Sequence, residues 1–321
     1  MRPGLAQMNL HPIVTRGSAS SCYVGRGAST RLGPALKHPK FLIVKDSAPA
    51  MTLPVNTPEP AAAHASSIED FKHNLASIRA RIDAAARKVG RDPASIRLLP
   101  VSKTVPEDRL RLAVAAGMDF LGENKVQEAA RKAENLADIP GLKFSVIGNL
   151  QTNKAKFVAK FADEFQALDN IRQAAALQRR LEAEDRQLDV FVQVNTSNEE
   201  SKFGLPPAEV QEFVDQLPQF DRLHVKGLMT LALFSDDKEA VRACFVRLRE
   251  LRDMLRESAP EGMEIEELSM GMSGDFELAI QEGATVVRVG QGIFGARALP
   301  DSHYWPGFAG EKPAAPNTAA Q

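Results

Sequence analysis

The chain has 321 residues, 44% of them hydrophobic, enough for one large α/β domain or two medium ones. A net charge of −1 excludes a global pull toward nucleic acid, and no apolar run approaches the roughly 18 residues that span a bilayer, so neither nucleic acid nor membrane is an expected partner. Its two cysteines, Cys22 and Cys244, lack metal-ligand spacing and suggest no disulfide framework, which points to a reducing, cytoplasmic setting.

The first fifty residues carry seven basic side chains against one acid, Asp46, and are rich in Ser, Gly and Pro. They show no sustained periodicity, so residues 1–66 read as a disordered leader and linker. The composition also fits an organelle transit peptide. The preferred alternative is a start placed too early, because Met51 opens a second plausible N-terminus. One domain is expected over 67–299, followed by a frayed tail over 300–321.

The first helix is predicted over 67–89, where Ile68, Phe71, Leu75, Ile78, Ile82 and Ala85 recur at three- and four-residue steps and Gly90 stops the run. Eight strand-like runs follow, at 97–102, 118–121, 143–147, 164–168, 189–195, 223–229, 265–269 and 285–289. Helical patterns fill the gaps at 107–116, 125–136, about 151–161, 170–185, 207–217, 237–257 and 274–282. Pro106-Glu107-Asp108 and Pro206-Pro207-Ala208-Glu209 place proline and acid in first turns. This alternation predicts an α/β fold: a single (β/α)8 TIM barrel with an extra N-terminal helix. A doubly wound sheet is disfavoured, because no strand is followed by G-x-G-x-x-G.

Active residues of such barrels sit at the C-terminal ends of strands. Lys103 ends the apolar run Leu98-Leu99-Pro100-Val101-Ser102. A lysine there can lose its proton and attack a carbonyl, the chemistry of a Schiff base, or it can simply be solvated where a strand ends. Strand 7 ends in Ser269-Met270-Gly271-Met272-Ser273, and strand 8 in Arg288-Val289-Gly290-Gln291-Gly292. Glycines and hydroxyls at these two ends suit a phosphate cup; the plain alternative is that the glycines make tight turns. Arg288 lies two residues before Gly290 and shares its side of the strand. It would meet either a structural acid, Glu123 or Asp275, or an acceptor on a ligand. Lysine, cup and arginine together fit pyridoxal 5′-phosphate, with the donor-only arginine facing the ring nitrogen. The expected cofactor-binding set is Lys103, Asn124, Met229, Ser269, Ser273, Arg288, Gly290 and Gln291. No metal site and no catalytic residue are expected.

Seven motifs in order carry a resemblance. They are Val101-Ser102-Lys103-Thr104; Gly122-Glu123-Asn124 with Val126-Gln127-Glu128; Ile147-Gly148-Asn149-Leu150-Gln151-Thr152-Asn153-Lys154; Val194-Asn195 with Ser201-Lys202; Gly227-Leu228-Met229; Leu268 through Ser273; and Arg288-Val289-Gly290 with Ile293-Phe294-Gly295-Ala296-Arg297. From about 67 to 297 the chain resembles the pyridoxal phosphate homeostasis proteins. The resemblance implies the fold type III barrel shared with the alanine racemase N-terminal domain. It also implies Lys103 as the cofactor lysine and a role in carrying and buffering vitamin B6 cofactor. Ser145, Lys125 and Val105 depart from the usual histidine, tyrosine and basic residue, departures that concern contacts at the mouth.

The competing readings are a fold type III amino-acid racemase and a Schiff-base aldolase. Two-base racemisation needs a second acid/base opposite the lysine. The two tyrosines, Tyr23 and Tyr304, lie in the leader and past the last strand. His73 falls in the first helix, His224 opens strand 6, and Cys244 reads as a core residue. Such racemases carry a further β domain, whereas 24 residues follow Arg297. A carrier without efficient catalysis is therefore expected, monomeric or weakly dimeric, with cofactor-dependent apoenzymes as acceptors.

Overall fold

A computed structural model of the chain describes residues 65–197, 199 and 203–295. The leader up to residue 64 with Met51 and both its tyrosine and cysteine, the tail with Tyr304, and Ser201, Lys202, Ala296 and Arg297 lie outside the described residues.

Helix α1 spans Ile68–Lys88. The Ser67 hydroxyl accepts from the Asp70 amide while the Asp70 carboxylate accepts from the Ser67 amide, a reciprocal box that satisfies amides the first turn leaves open. Phe71, Leu75, Ile78 and Ile82 form its buried stripe, as the spacing predicts.

The remaining elements alternate. They run β1 Arg97–Pro100, α2 Glu107–Ala115, β2 Phe120–Glu123, α3 Val126–Asn135, β3 Lys143–Val146, α4 Ala155–Phe161, β4 Glu164–Leu168, α5 Ile171–Ala183 and β5 Leu188–Gln193. Then come α6 Val210–Asp215, β6 Leu223–Met229, α7 Lys238–Ser258, β7 Glu267–Ser269, α8 Phe276–Gln281, β8 Val286–Val289 and α9 Gln291–Phe294. Neighbouring strands pair in parallel in the order β1-β8-β7-β6-β5-β4-β3-β2. The circle closes between the two ends through the parallel bridge Val101↔Gly122, where the Ser102 amide donates to the Gly122 carbonyl at 2.9 Å. The (β/α)8 barrel with its extra helix is thus the observed architecture. No helix among the described residues is long and apolar enough to cross a membrane.

Several boundaries shift by one or two residues, β7 for instance beginning at Glu267, and two departures have a visible local cause. Strand β2 starts at Phe120, two residues later than the spacing predicts, because Gly117 at φ 104° and the buried Met118 belong to the turn after α2. The strand runs on to Glu123, which is buried. The helix expected over 207–217 is a 3-10 turn at Pro207–Glu209, then α6, then a second turn at Leu217–Gln219. Pro218 has no amide to continue α6.

Alternate residues of a barrel strand face inward. The register aligns Gly122 with Ser145, Ser145 with Glu164, and Leu99 with Arg288. The inward positions thus include Arg97, Ser145, Glu164, Gln166, Ser269 and Arg288, a polar set where branched apolar residues are usual. The apolar core lies outside it, between strands and helices, where Phe165, Val190, Leu228, Leu268 and Val287 are fully buried.

Candidate functional site at the barrel mouth

Lys103 stands at the apex of a tight turn after β1, partly buried. The Val105 amide donates to the Ser102 carbonyl at 3.0 Å, and Thr104 takes a left-handed φ of 65°, uncommon for a residue with a branched side chain. Behind this turn, on the outer face of β2, three charged side chains meet. Lys132 of α3 and Glu123 of β2 are both 0% exposed and paired at 2.7 Å. Lys132 Nζ also donates to Glu128 Oε1 at 2.7 Å and to the Ser102 carbonyl at 2.8 Å, so each of its donors has an acceptor. The Ser102 hydroxyl donates to Glu123 at 2.6 Å, and the Thr104 amide donates to Glu128 at 2.8 Å. Burial pushes the Glu123 carboxyl up, against the pull of Lys132. Burial also raises Glu128, but hydrogen bonds from Lys132 and the Thr104 amide outweigh it and hold that carboxyl below the usual range.

Next to this turn stand the ends of β7 and β8. The Val101 amide donates to the Val289 carbonyl at 2.9 Å, so Lys103 and Gly290 both lie just beyond one bond. A Cβ on Gly290 would sit 3.1 Å from the Val101 carbonyl oxygen. Gly271 takes φ 93°, and a Cβ there would fall 2.6 Å from that of Ala279, so no side chain fits. The Gly290 amide donates to the Ser273 hydroxyl at 3.3 Å, which joins the two loops. Asp275 shapes the first of them by accepting from the Met272 amide, while burial pushes its carboxyl up. Helix α1 holds the second. Asn74 donates to the Ile293 carbonyl at 2.9 Å, and Gly292 comes so close to Ile78 that a Cβ would meet it at 2.7 Å.

Arg288 is 2% exposed and points into the barrel. It donates to the Ser269 hydroxyl and to the Thr230 carbonyl, each at 2.7 Å. Ser269 in turn donates to Gln166 Oε1 at 2.6 Å, and the Gln166 amide donates to Glu164 at 2.6 Å. Ser145 and Arg97 also donate to Glu164, at 2.7 and 2.5 Å. A hydrogen-bond chain therefore crosses the barrel from Arg97 at its base to Arg288 near its mouth. Burial lowers the Arg288 guanidinium to about 10, opposed by the charges of Asp275 and Glu164. It remains a cation at neutral pH.

Of the expected set, Lys103, Ser273, Arg288, Gly290 and Gln291 gather on the β1–β8–β7 side of the mouth. Met229, buried at the end of β6, pairs in register with Ser269. Asn124 stands apart on the β2–β3 side. Its carbonyl oxygen would be 2.1 Å from a Cβ on Gly148, and its side-chain Oδ1 is buried without a hydrogen-bond partner. Ser269 is fully buried, and its hydroxyl accepts from Arg288 and donates to Gln166. Two expectations are corrected. Glu123 pairs with Lys132 on the outer face and not with Arg288. Ser145 is buried inside the barrel on Glu164 and makes no contact at the mouth's edge. Residue reasoning missed Glu164, Gln166 and Lys132. Two signals were available: polar residues at alternate positions of an otherwise apolar strand, and the i, i+4 pair Glu128 and Lys132 on one helix face.

Comparisons with known proteins match this arrangement. The alanine racemase N-terminal domain family covers residues 71–298. The pyridoxal phosphate homeostasis protein of Pseudomonas aeruginosa is 41% identical over 224 residues, 70% of this chain and 94% of the relative. That of Escherichia coli K12 is 39% identical over 232 residues, 72% of this chain and 98% of the relative. The solved structure of PipY from Synechococcus elongatus with PLP bound superposes with a TM-score of 0.63 at 34% identity, covering 70% of this chain and all of that one.

Proposed function

This chain belongs to the pyridoxal phosphate homeostasis protein family, and from that premise we propose that it binds pyridoxal 5′-phosphate at the barrel mouth and serves to carry and buffer it. The observation that carries the reading is that the strand end before Lys103 bonds directly to the end of β8, where the Gly290 amide in turn donates to Ser273 of the loop after β7. The residues fit the group. They offer an amine on a fixed turn, backbone that approaches without side chains, a hydroxyl between two loops, and a buried donor-only guanidinium. Bound, the group supplies an aldehyde open to amines and an electron-withdrawing ring.

Lys103 provides the amine that holds it. Ser273 and the backbone of Gly271 and Gly290 receive the phosphate, with Gln291 and Asn124 at the rim and Met229 beneath the ring. Arg288 can only donate, so at the ring nitrogen it removes the need for a proton there and weakens electron withdrawal. Ser269 and Gln166 keep its guanidinium in that orientation. Such a site favours retention over carbanion chemistry, and the names of the relatives favour homeostasis over racemisation. We place the protein in the cytoplasm, as a monomer or weak dimer, handing its cofactor to apoenzymes that depend on it. The test is the absorption spectrum before and after borohydride, with intact mass, for the wild type and Lys103→Ala. Loss of the visible band and of the reduced adduct is expected. A variant that stays yellow and reducible would move the attachment to Lys154 or Lys202.

A further inference from the structure

We propose that Glu128, with Lys132, is a positioning residue for Lys103: the cluster behind the β1 turn fixes the lysine amine where it meets its aldehyde. The inference rests on the cofactor reading above and extends it to residues that touch no ligand.

The cluster grips the turn on both sides of the lysine. Before it, the Ser102 carbonyl and hydroxyl are taken by Lys132 and Glu123. After it, the Thr104 amide is taken by Glu128. Thr104 sits in a left-handed conformation that a threonine avoids without an external hold, and the Glu128 carboxylate on its amide is that hold. Lys132 links the two grips, because one ammonium bonds Ser102, Glu123 and Glu128 together.

Stability alone is a poor reason for this construction. Fully buried ion pairs return little over well-packed apolar residues. Glu123 Oε2 moreover remains buried with no hydrogen-bond partner. The arrangement is better suited to precision. The neutral Lys103 amine adds to the aldehyde carbon, a water leaves, and a carbon–nitrogen double bond forms. That step requires the amine near one point, and misplacement by about 1 Å costs on the order of a hundredfold in rate.

Among the described residues the cluster's hydrogen bonds to the turn fall on Ser102 and Thr104, while the loops proposed to hold the phosphate follow β7 and β8, so its loss should separate covalent from non-covalent holding. The experiment mixes apo protein with pyridoxal 5′-phosphate and reads two quantities: the rate of appearance of the visible band, and that band's ratio to the near-ultraviolet band of bound free aldehyde at saturation. Wild type, Glu128→Ala, Glu128→Gln and Lys103→Ala are compared, and melting temperature is followed in each. Glu128→Ala should form the visible band roughly tenfold more slowly or worse, with a lowered band ratio. Glu128→Gln keeps an oxygen that can accept from Thr104 and should fall between it and the wild type. A purely structural role would lower the melting temperature and leave rate and ratio in the folded fraction untouched. That result overturns the inference alone. Should Glu128→Ala not fold, Glu128→Gln decides by the same two readings. A wild type indistinguishable from Lys103→Ala, with no visible band, overturns the cofactor reading and this inference with it.

Discussion

The two sides of the barrel mouth are built from different materials. Behind the lysine turn, between β1, β2 and α3, one cation and two carboxylates share a buried space. At the ends of β7 and β8 the work is done by glycine backbone, the Ser273 and Ser269 hydroxyls, and one arginine whose bonds go to neutral acceptors. The difference follows from what each side must do. A turn with a left-handed threonine needs strong, directional acceptors on its amides, and carboxylates are the strongest available. On the proposed function the second side receives an anion, and such a surface keeps carboxylates away and offers amides and hydroxyls. Asp275 stands in the loop after β7. Burial pushes its carboxyl up, while its Oδ1 is engaged by the Met272 amide.

The contrast can be broken by removing one member from each side. Lys132→Met leaves Glu123 buried beside a methyl group and should cost about 3–5 kcal/mol of stability. Ser269→Ala leaves the Arg288 Nη1 donor and the Gln166 Oε1 acceptor unpartnered and should cost about 2 kcal/mol. Denaturant unfolding of both variants measures the two losses. Equal losses would erase the distinction between a charged and a neutral construction.

A smaller effect sharpens the same contrast inside the charged side. Glu128 is held below its usual range, so it contributes stability that is present above its unfolded pKa and is lost as pH falls through its lower folded value. Glu123 is raised, so its contribution is present below its unfolded pKa and is lost as pH rises through its higher folded value. Glu128→Gln should therefore remove part of the loss on acidification, and Glu123→Gln part of the loss on return to neutrality. Melting temperature against pH for the two variants should show slopes changed in opposite senses. Changes of the same sign would mean that the pair titrates as one unit.

Much of this molecule is legible in its sequence, and the parts that are not share a cause. The helices and strands follow apolar periodicity, which acts between a residue and its immediate neighbours. Lys103, Ser273 and Gly290 could be placed at the mouth because each follows the C-terminal end of a strand, and those ends meet there. The partners of Ser269 could not be read, because period-two alternation puts it inside the barrel, where Gln166 is 103 residues away in the chain. Glu123 was paired with the wrong cation because it follows the inward Gly122 by one residue and so joins the outer face, where Lys132 of α3 meets it. Lys132 reads as one more solvated helix lysine until α3 is laid over β2 and its side chain is found fully buried. Local pattern identifies elements; which polar groups face one another depends on register between elements, and that is set by the closed barrel.

The smallest effect tests whether the interior chain has a direction. Glu164 Oε1 accepts from both Ser145 and Gln166, and Oε2 accepts from Arg97. Ser145→Ala removes one donor from an acceptor that keeps two other partners and leaves no donor stranded. It should cost about 1 kcal/mol, less than Ser269→Ala, although both serines are fully buried. Cofactor retention should be unchanged, because Ser145 lies on the far side of Glu164 from Arg288, whereas Ser269 touches the guanidinium itself. The two variants, unfolded in denaturant and dialysed after loading, give the comparison directly. If Ser145→Ala loses as much cofactor as Ser269→Ala, then Arg288 is governed by the charge of Glu164 and not by the hydroxyl beside it, and the neutral side of the mouth depends on a buried carboxylate after all.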